Sequence, residues 1–171
     1  RLLTHHLKIQ AQGLLYMINS PIIYFLNTHG VFLLYLIVFV YLWFWQKKRE
    51  EAVHVLIAAI IAGSLALIIK ELFNIPRPYI VSGIIPLAGD SVRTSSFPSL
   101  HSTLAFTLAT TVSLHQRKSG IILFVIAAII AIGRVFAVVH YPFDVIAGAI
   151  LGTSVSLLTE NLKLPRHRLI K

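Results

Sequence analysis

Apolar residues run through this chain in long blocks separated by short polar breaks, without the strict alternation that marks half-buried strands. Five blocks approach the roughly 20 residues that carry a helix across a bilayer: 28–45, 52–69, 99–114, 121–136 and 143–158. The first is almost purely apolar. The last three are shorter or mildly polar, the third being rich in Thr and Ser, which predicts helices that face other helices more than lipid. Gly148 and Gly152 form a G-x-x-x-G in the fifth block, and Ala59, Gly63 and Ala66 lie along the second. Small residues at such spacing let helices approach closely. Upstream, residues 2–26 mix apolar positions with His5, His6, Lys8, Gln10 and Gln12. This segment reads as an amphipathic interfacial helix with a break at Ser20-Pro21 or, alternatively, as the remnant of a sixth span. The predicted fold is all-α, a polytopic membrane bundle of about five transmembrane helices. Residues 1–27 are its interfacial segment, 28–158 its transmembrane domain and 159–171 a basic tail.

Composition supports the membrane reading. Of the 171 residues, 57% are hydrophobic and 12% charged, against roughly 25% charged in soluble domains; mean hydropathy is +0.82. These values exclude a soluble globular domain and a disordered chain. The absence of cysteine excludes disulfides, thiol catalysis and Cys-ligated metals. The net charge of +9 would point to nucleic acid in a soluble protein. Here much of it falls in three segments that five spans place on one side of the membrane: Lys47, Lys48 and Arg49; Arg117 and Lys118; and Lys163, Arg166, Arg168 and Lys171. Basic residues concentrate in cytoplasmic loops, so that side is cytoplasmic, and no basic face is left for nucleic acid. His5 and His6 lack a further ligand nearby and read as interfacial polarity, not a metal site. His54, near the inner end of the second span, reads the same way.

The opposite loops should be poor in cations, yet they hold Lys70, Arg77, Arg93 and Arg134. A cation at the end of an apolar span is costly unless it is paired or functional. His101, His140 and Asp144 accompany them, which makes the set an anion site with acid and base groups. Pro76 and Pro78 restrict the backbone around Arg77 and keep it extended. Phe97-Pro98-Ser99-Leu100-His101 opens the third span; Ser99 suits a helix start, and the free N–H groups of a helix N-terminus bind phosphate. Pro142 opens the fifth helix and puts Asp144 in its first turn. There Asp144 can accept a hydrogen bond from His140, fixing the imidazole tautomer and raising its nucleophilicity. Singly, these residues read as snorkelling cations, helix caps or interfacial polarity. Three distant segments converging on one face do not.

Together the segments resemble the signature of the type 2 phosphatidic acid phosphatase superfamily, the integral-membrane lipid phosphatases related to vanadium haloperoxidases. Its Lys-x6-Arg-Pro is matched at residues 70–78, its Pro-Ser-Gly-His at Pro98–His101, and its Ser-Arg-x5-His-x3-Asp at Gly133–Asp144. Leu100 stands where the family usually has Gly, and Gly133 where it usually has Ser. The resemblance implies that His140 attacks phosphorus to form a phosphohistidine, that Asp144 orients its imidazole, and that His101 protonates the leaving oxygen and then activates water. It further implies that Lys70, Arg77, Arg134, Ser99 and the Leu100 N–H bind the phosphate, with Arg93 a headgroup contact, and that no metal or cofactor is required. A lipid phosphate in the membrane is the implied substrate. The expected location is the inner (plasma) membrane, with the site facing the periplasm or cell exterior. Undecaprenyl diphosphate is the leading candidate; phosphatidylglycerophosphate, phosphatidate and the lipid A 1-phosphate are alternatives. Readings from other classes are a transporter and an inactive lipid-binding protein.

Overall fold

The computed structural model describes residues 21–83 and 95–160. Among them the chain forms α1 (Pro21–Val40), continued by a π-helical turn at Tyr41–Trp45, α2 (Arg49–Phe73), the short α3 (Pro78–Ser82), α4 (Leu100–His115), α5 (Arg117–Phe136) and α6 (Pro142–Glu160). No strand occurs among the described residues; one isolated bridge pairs Pro76 with Ser95. By length and composition α1 with its π-turn, α2, α5 and α6 can each cross a membrane. The third predicted span, α4, is a 16-residue helix in the middle of the others. α1 starts at Pro21, so residues 21–27 open the first long helix. The proposed interfacial helix and the basic tail otherwise lie outside the described residues.

The interior is rich in small and hydroxylated residues packed around a few buried aliphatics such as Leu42, Val55 and Leu108, and most isoleucines face outward. Ile60, Ile68, Ile122, Ile129, Ile146 and Ile150 are all exposed, while Ala58, Ala62, Ala66, Ala105 and Ala109 are fully buried or nearly so. That inversion is expected where lipid, not water, surrounds the bundle and close packing drives association. The Thr- and Ser-rich α4 tolerates its central place because its hydroxyls are satisfied locally. Thr103 Oγ1 donates to Ser99 O at 2.9 Å and Thr107 Oγ1 to Thr103 O at 2.7 Å. Ser156 of α6 donates to Thr107 O at 3.0 Å and accepts from Thr111 at 3.1 Å, linking the two helices.

Glycines set how closely α6 approaches. A Cβ on Gly148 would stand 2.7 Å from Ser99 O, and one on Gly152 would stand 2.2 Å from Thr103 O. The G-x-x-x-G of the fifth span is therefore the contact seam with α4. On α2 the buried line is Ala58, Ala62 and Ala66, not the expected Ala59 and Gly63, which are only half-buried. Both lines are small enough to pack; the alanine line is the more deeply buried, and Gly63 faces Leu104 of α4 at its edge.

Each buried stripe leads to an ionisable side chain. On α2 the four-residue steps Ala58, Ala62, Ala66 end at Lys70. On α5, Leu123, Ala127 and Ala131 end at Arg134. On α6, Asp144 begins the series Gly148, Gly152, Ser156. Steps of three and four keep one helix face, so packing itself turns these three groups inward at one end of the bundle. The other end gathers Lys47, Lys48, Arg49, Arg117 and Lys118, and is closed by Gln116 donating to Glu51 at 2.7 Å. His54 is there too, buried and paired with His115 (Nδ1 to Nε2, 3.0 Å).

Candidate active site

Backbone hydrogen bonds join the three sequence segments. Ser96 N donates to Ile75 O at 2.7 Å, Tyr79 N to Val138 O at 3.2 Å, and Ser99 N to Asp144 O at 3.0 Å. The loops bearing Arg77, Ser99 and His140 are thus fixed to one another pairwise, independently of their side chains. Lys70, Arg77, Arg134, His140 and Asp144 are each between 2% and 4% exposed.

The cations are held by main-chain acceptors. Lys70 Nζ donates to Ser95 O at 3.1 Å and to Ser96 O at 3.0 Å. Arg77 Nη1 donates to Val139 O at 3.3 Å, next to His140. Arg77 is extended (φ −74°, ψ 152°) immediately before Pro78, as its flanking prolines require. These carbonyls hold the Lys70 and Arg77 side chains in place beside the histidine-bearing segments. Lys70, Arg77 and Arg134 all lie within electrostatic reach of both His101 and His140.

α5 ends after Arg134, and the chain reverses through Val138 in the left-handed region (φ 60°), a conformation that costs a β-branched residue roughly 1–2 kcal/mol. That reversal delivers His140 just before α6. Its Nδ1 stands 3.5 Å from Asp144 Oδ2. The same oxygen accepts the Tyr141 N–H at 2.8 Å, so the nearer donor holds the carboxylate and the imidazole faces it at a longer distance than a formed hydrogen bond. A positive charge on the imidazole would draw the pair together. Burial, reinforced by Arg134, Arg77 and Lys70, holds His140 below its ordinary pKa of 6.5, with Asp144 opposing in part. A group whose pKa falls on folding binds fewer protons in the native state than in the unfolded chain. Its contribution to stability is therefore lost as pH drops below 6.5, and the folded protein keeps the neutral, nucleophilic form. In histidine NMR spectra His140 is expected to stay neutral from pH 8 down to pH 5; a midpoint near 6.5 would contradict this environment.

Ser99 is fully buried and caps α4: its Oγ accepts from Ser102 N at 3.4 Å and from Ser102 Oγ at 3.2 Å. Its own hydroxyl hydrogen is left to donate. Leu100 is the first residue of α4, so its N–H is among those without an intrahelical acceptor. His101 turns toward α1, where its Nε2 lies 3.1 Å from Thr28 O. A carbonyl can only accept, so Nε2 carries the hydrogen and Nδ1 is the nitrogen that can exchange a proton. Arg93 lies outside the described residues. Sequence reasoning missed the main-chain acceptors at Thr28, Ser95, Ser96 and Val139, and Tyr141 N–H as donor. Backbone groups carry no residue signature, so only the fold could reveal them. Ser96, wholly buried beside Phe97 and Pro98, is a serine the motif reading passed over.

The chain is similar to several known proteins. The "Bacitracin transport permease protein BcrC" of Bacillus licheniformis is 31% identical over 151 residues, 87% of this chain and 74% of that one. The "Undecaprenyl-diphosphatase BcrC" of Bacillus subtilis is 27% identical over 146 residues, covering 81% and 72%. Among solved structures, Aquifex aeolicus LpxE superposes with a TM-score of 0.68 at 28% identity, covering 87% of this chain and 93% of the other. The PAP2 superfamily model matches residues 51–167, a span that holds Lys70, Arg77, His101, Arg134, His140 and Asp144. On the strength of that match, the chain belongs to the PAP2 superfamily.

Proposed function

We propose that this protein is a membrane lipid phosphatase working through a phosphohistidine at His140, with undecaprenyl diphosphate as its substrate. The observation that carries the reading is the convergence of two histidines, one buried carboxylate and three buried cations at one end of the bundle. With Nδ1 toward Asp144, His140 Nε2 is the attacking atom. Its lone pair forms the P–N bond as the P–O bond to the leaving group breaks, and that electron pair stays on the leaving oxygen. His101 Nδ1 gives this oxygen a proton. Asp144 stabilises the imidazolium that forms. In the second step His101 takes a proton from water, the hydroxide attacks phosphorus, and the P–N pair returns to His140. Lys70, Arg77 and Arg134, with the Ser99 hydroxyl and the Leu100 N–H, bind the non-bridging oxygens, where charge builds.

The basic residues gathered at the opposite end support that end as cytoplasmic, with the site at the outer face. The substrate follows from the activity named for the Bacillus subtilis relative. Phosphatidylglycerophosphate, phosphatidate and the lipid A 1-phosphate share the same phosphate chemistry and are the competing substrates. Transport, which the name of the Bacillus licheniformis relative mentions, would call for ionisable groups at mid-membrane depth. Among the described residues, the middle turns of α2, α4, α5 and α6 have none.

The test is phosphate release from a panel of lipid phosphates and diphosphates in detergent, with EDTA and then with vanadate. Release that survives EDTA, is inhibited by vanadate and is fastest with undecaprenyl diphosphate is expected. Strict dependence on a divalent ion would contradict the three-cation mechanism. A second expectation concerns Gly133, where nothing lies within 4 Å of an added Cβ. Gly133→Ser should fold normally and lower KM by roughly two- to fivefold through one added hydrogen bond to the phosphate. A raised KM would show that the hydroxyl does not reach it.

A further inference from the structure

The most obvious apolar recess is a groove of about 360 Å³ between α5 and α6, lined by Phe106, Ala131, Val135, Phe136, Val145 and Ile146. It exists because both neighbours are drawn onto α4 at the expense of each other. Gly148 and Gly152 pull α6 in, and Gly120 pulls in the start of α5, where an added Cβ would stand 2.4 Å from Ser113. The groove opens beside Arg134 and Asp144, so a lipid chain would find it at hand.

Reaction geometry argues otherwise. In phosphoryl transfer the attacking and leaving atoms lie roughly in line through phosphorus. His140 attacks from the α5–α6 connection, so the leaving oxygen and the lipid attached to it are on the far side, at His101. At about 100° per residue, His101 and Phe106 point about 140° apart around α4. His101 faces α1 instead, with Nε2 on Thr28 O at 3.1 Å and its ring edge-on to Phe32 at 6.2 Å. Phe32 and Leu36, one turn apart on α1, are 51% and 57% exposed to the surrounding hydrocarbon.

We propose that the substrate's hydrocarbon chain runs from His101 down α1 along Phe32 and Leu36, and not through the α5–α6 groove. The inference rests on the phosphatase reading above. It makes Leu36 a residue that discriminates by chain length without touching the reacting atoms.

The test uses the full chain in mixed micelles with two diphosphates, undecaprenyl and the five-carbon isopentenyl, which is too short to reach Leu36. Leu36→Ala is expected to raise KM for undecaprenyl diphosphate about five- to tenfold, as loss of a few buried methyl and methylene contacts implies. Its kcat, and its kinetics on isopentenyl diphosphate, should stay within twofold of the parent. Ile146→Ala, in the groove, should leave both substrates within twofold. A KM effect of Ile146→Ala without one of Leu36→Ala, or equal effects of the two, overturns the α1 path. A parent protein that hydrolyses neither diphosphate overturns the phosphatase reading instead, and this inference with it.

Discussion

His140→Ala is expected to abolish turnover, lowering kcat by on the order of 10⁴-fold or more, while the protein inserts and folds as the parent does. A nucleophile that forms the covalent intermediate has no substitute among its neighbours, and losses of this size follow removal of such groups elsewhere. The fold should survive because other interactions hold the site together. Asp144 keeps the Tyr141 N–H at 2.8 Å, Ser99 N stays on Asp144 O at 3.0 Å, and Arg77 is held by the Val139 carbonyl. The buried carboxylate also keeps the positive field of the three cations. The measurements are phosphate release and the elution profile and helical circular dichroism in detergent. Activity near that of the parent would remove His140 from the nucleophile's role. Loss of the folded elution peak would mean that the imidazole is structural.

The second large effect is expected far from the chemistry. Gly152→Ala places a methyl 2.2 Å from Thr103 O, a backbone atom that cannot rotate away. α4 and α6 must separate by about an ångström, and overpacking of this kind costs roughly 1–3 kcal/mol. Four residues along, Gly148 lies against Ser99, so the separation carries the α4 N-terminus away from Asp144. Both stability and activity should fall, with Tm lower by roughly 5 °C or more and activity reduced at least tenfold. Gly63→Ala is the matched control. It adds the same methyl to a helix, but the nearest atom is the Leu104 side chain at an ordinary 3.6 Å. There the helix propensity of Ala, about 1 kcal/mol better than Gly, should leave Tm unchanged or raised. Equal tolerance of both substitutions would show that the α4–α6 seam is looser than described.

The fold and the candidate site differ in how far the sequence reveals them. Five helices were legible because lipid-facing blocks must be apolar over a bilayer's thickness. Pro142 and Ser99 then marked helix starts by their own chemistry, whereas Pro21, read only as a break, opens the first long helix. Lys70, Arg134 and Asp144 could be read as inward-facing because each continues a small-residue stripe in steps of three or four. The exact seam on α2 could not, since the Ala58–Ala62 and Ala59–Gly63 lines are equally small and only the packed bundle shows which is buried more deeply. The Asp144–His140 pair was anticipated from its spacing, but the Tyr141 N–H competing for the same oxygen was not. The pairing of His54 was hidden because its partner, His115, is 61 residues away. The turn of His101 toward α1 depends on where α1 packs, which no motif in the sequence records.

The central claim is that His140 carries the phosphoryl group, and the intermediate itself tests this most directly. The enzyme would be mixed with undecaprenyl diphosphate, quenched in alkali within the first turnovers, digested and mapped by mass spectrometry. One phosphoryl group on the imidazole of His140, stable in alkali and lost in acid, is the predicted result. It should accumulate further when His101 is replaced, because water is then no longer activated for the second step. A phosphoryl group on any other residue, or rapid turnover with none on the protein at any quench time, would contradict the mechanism.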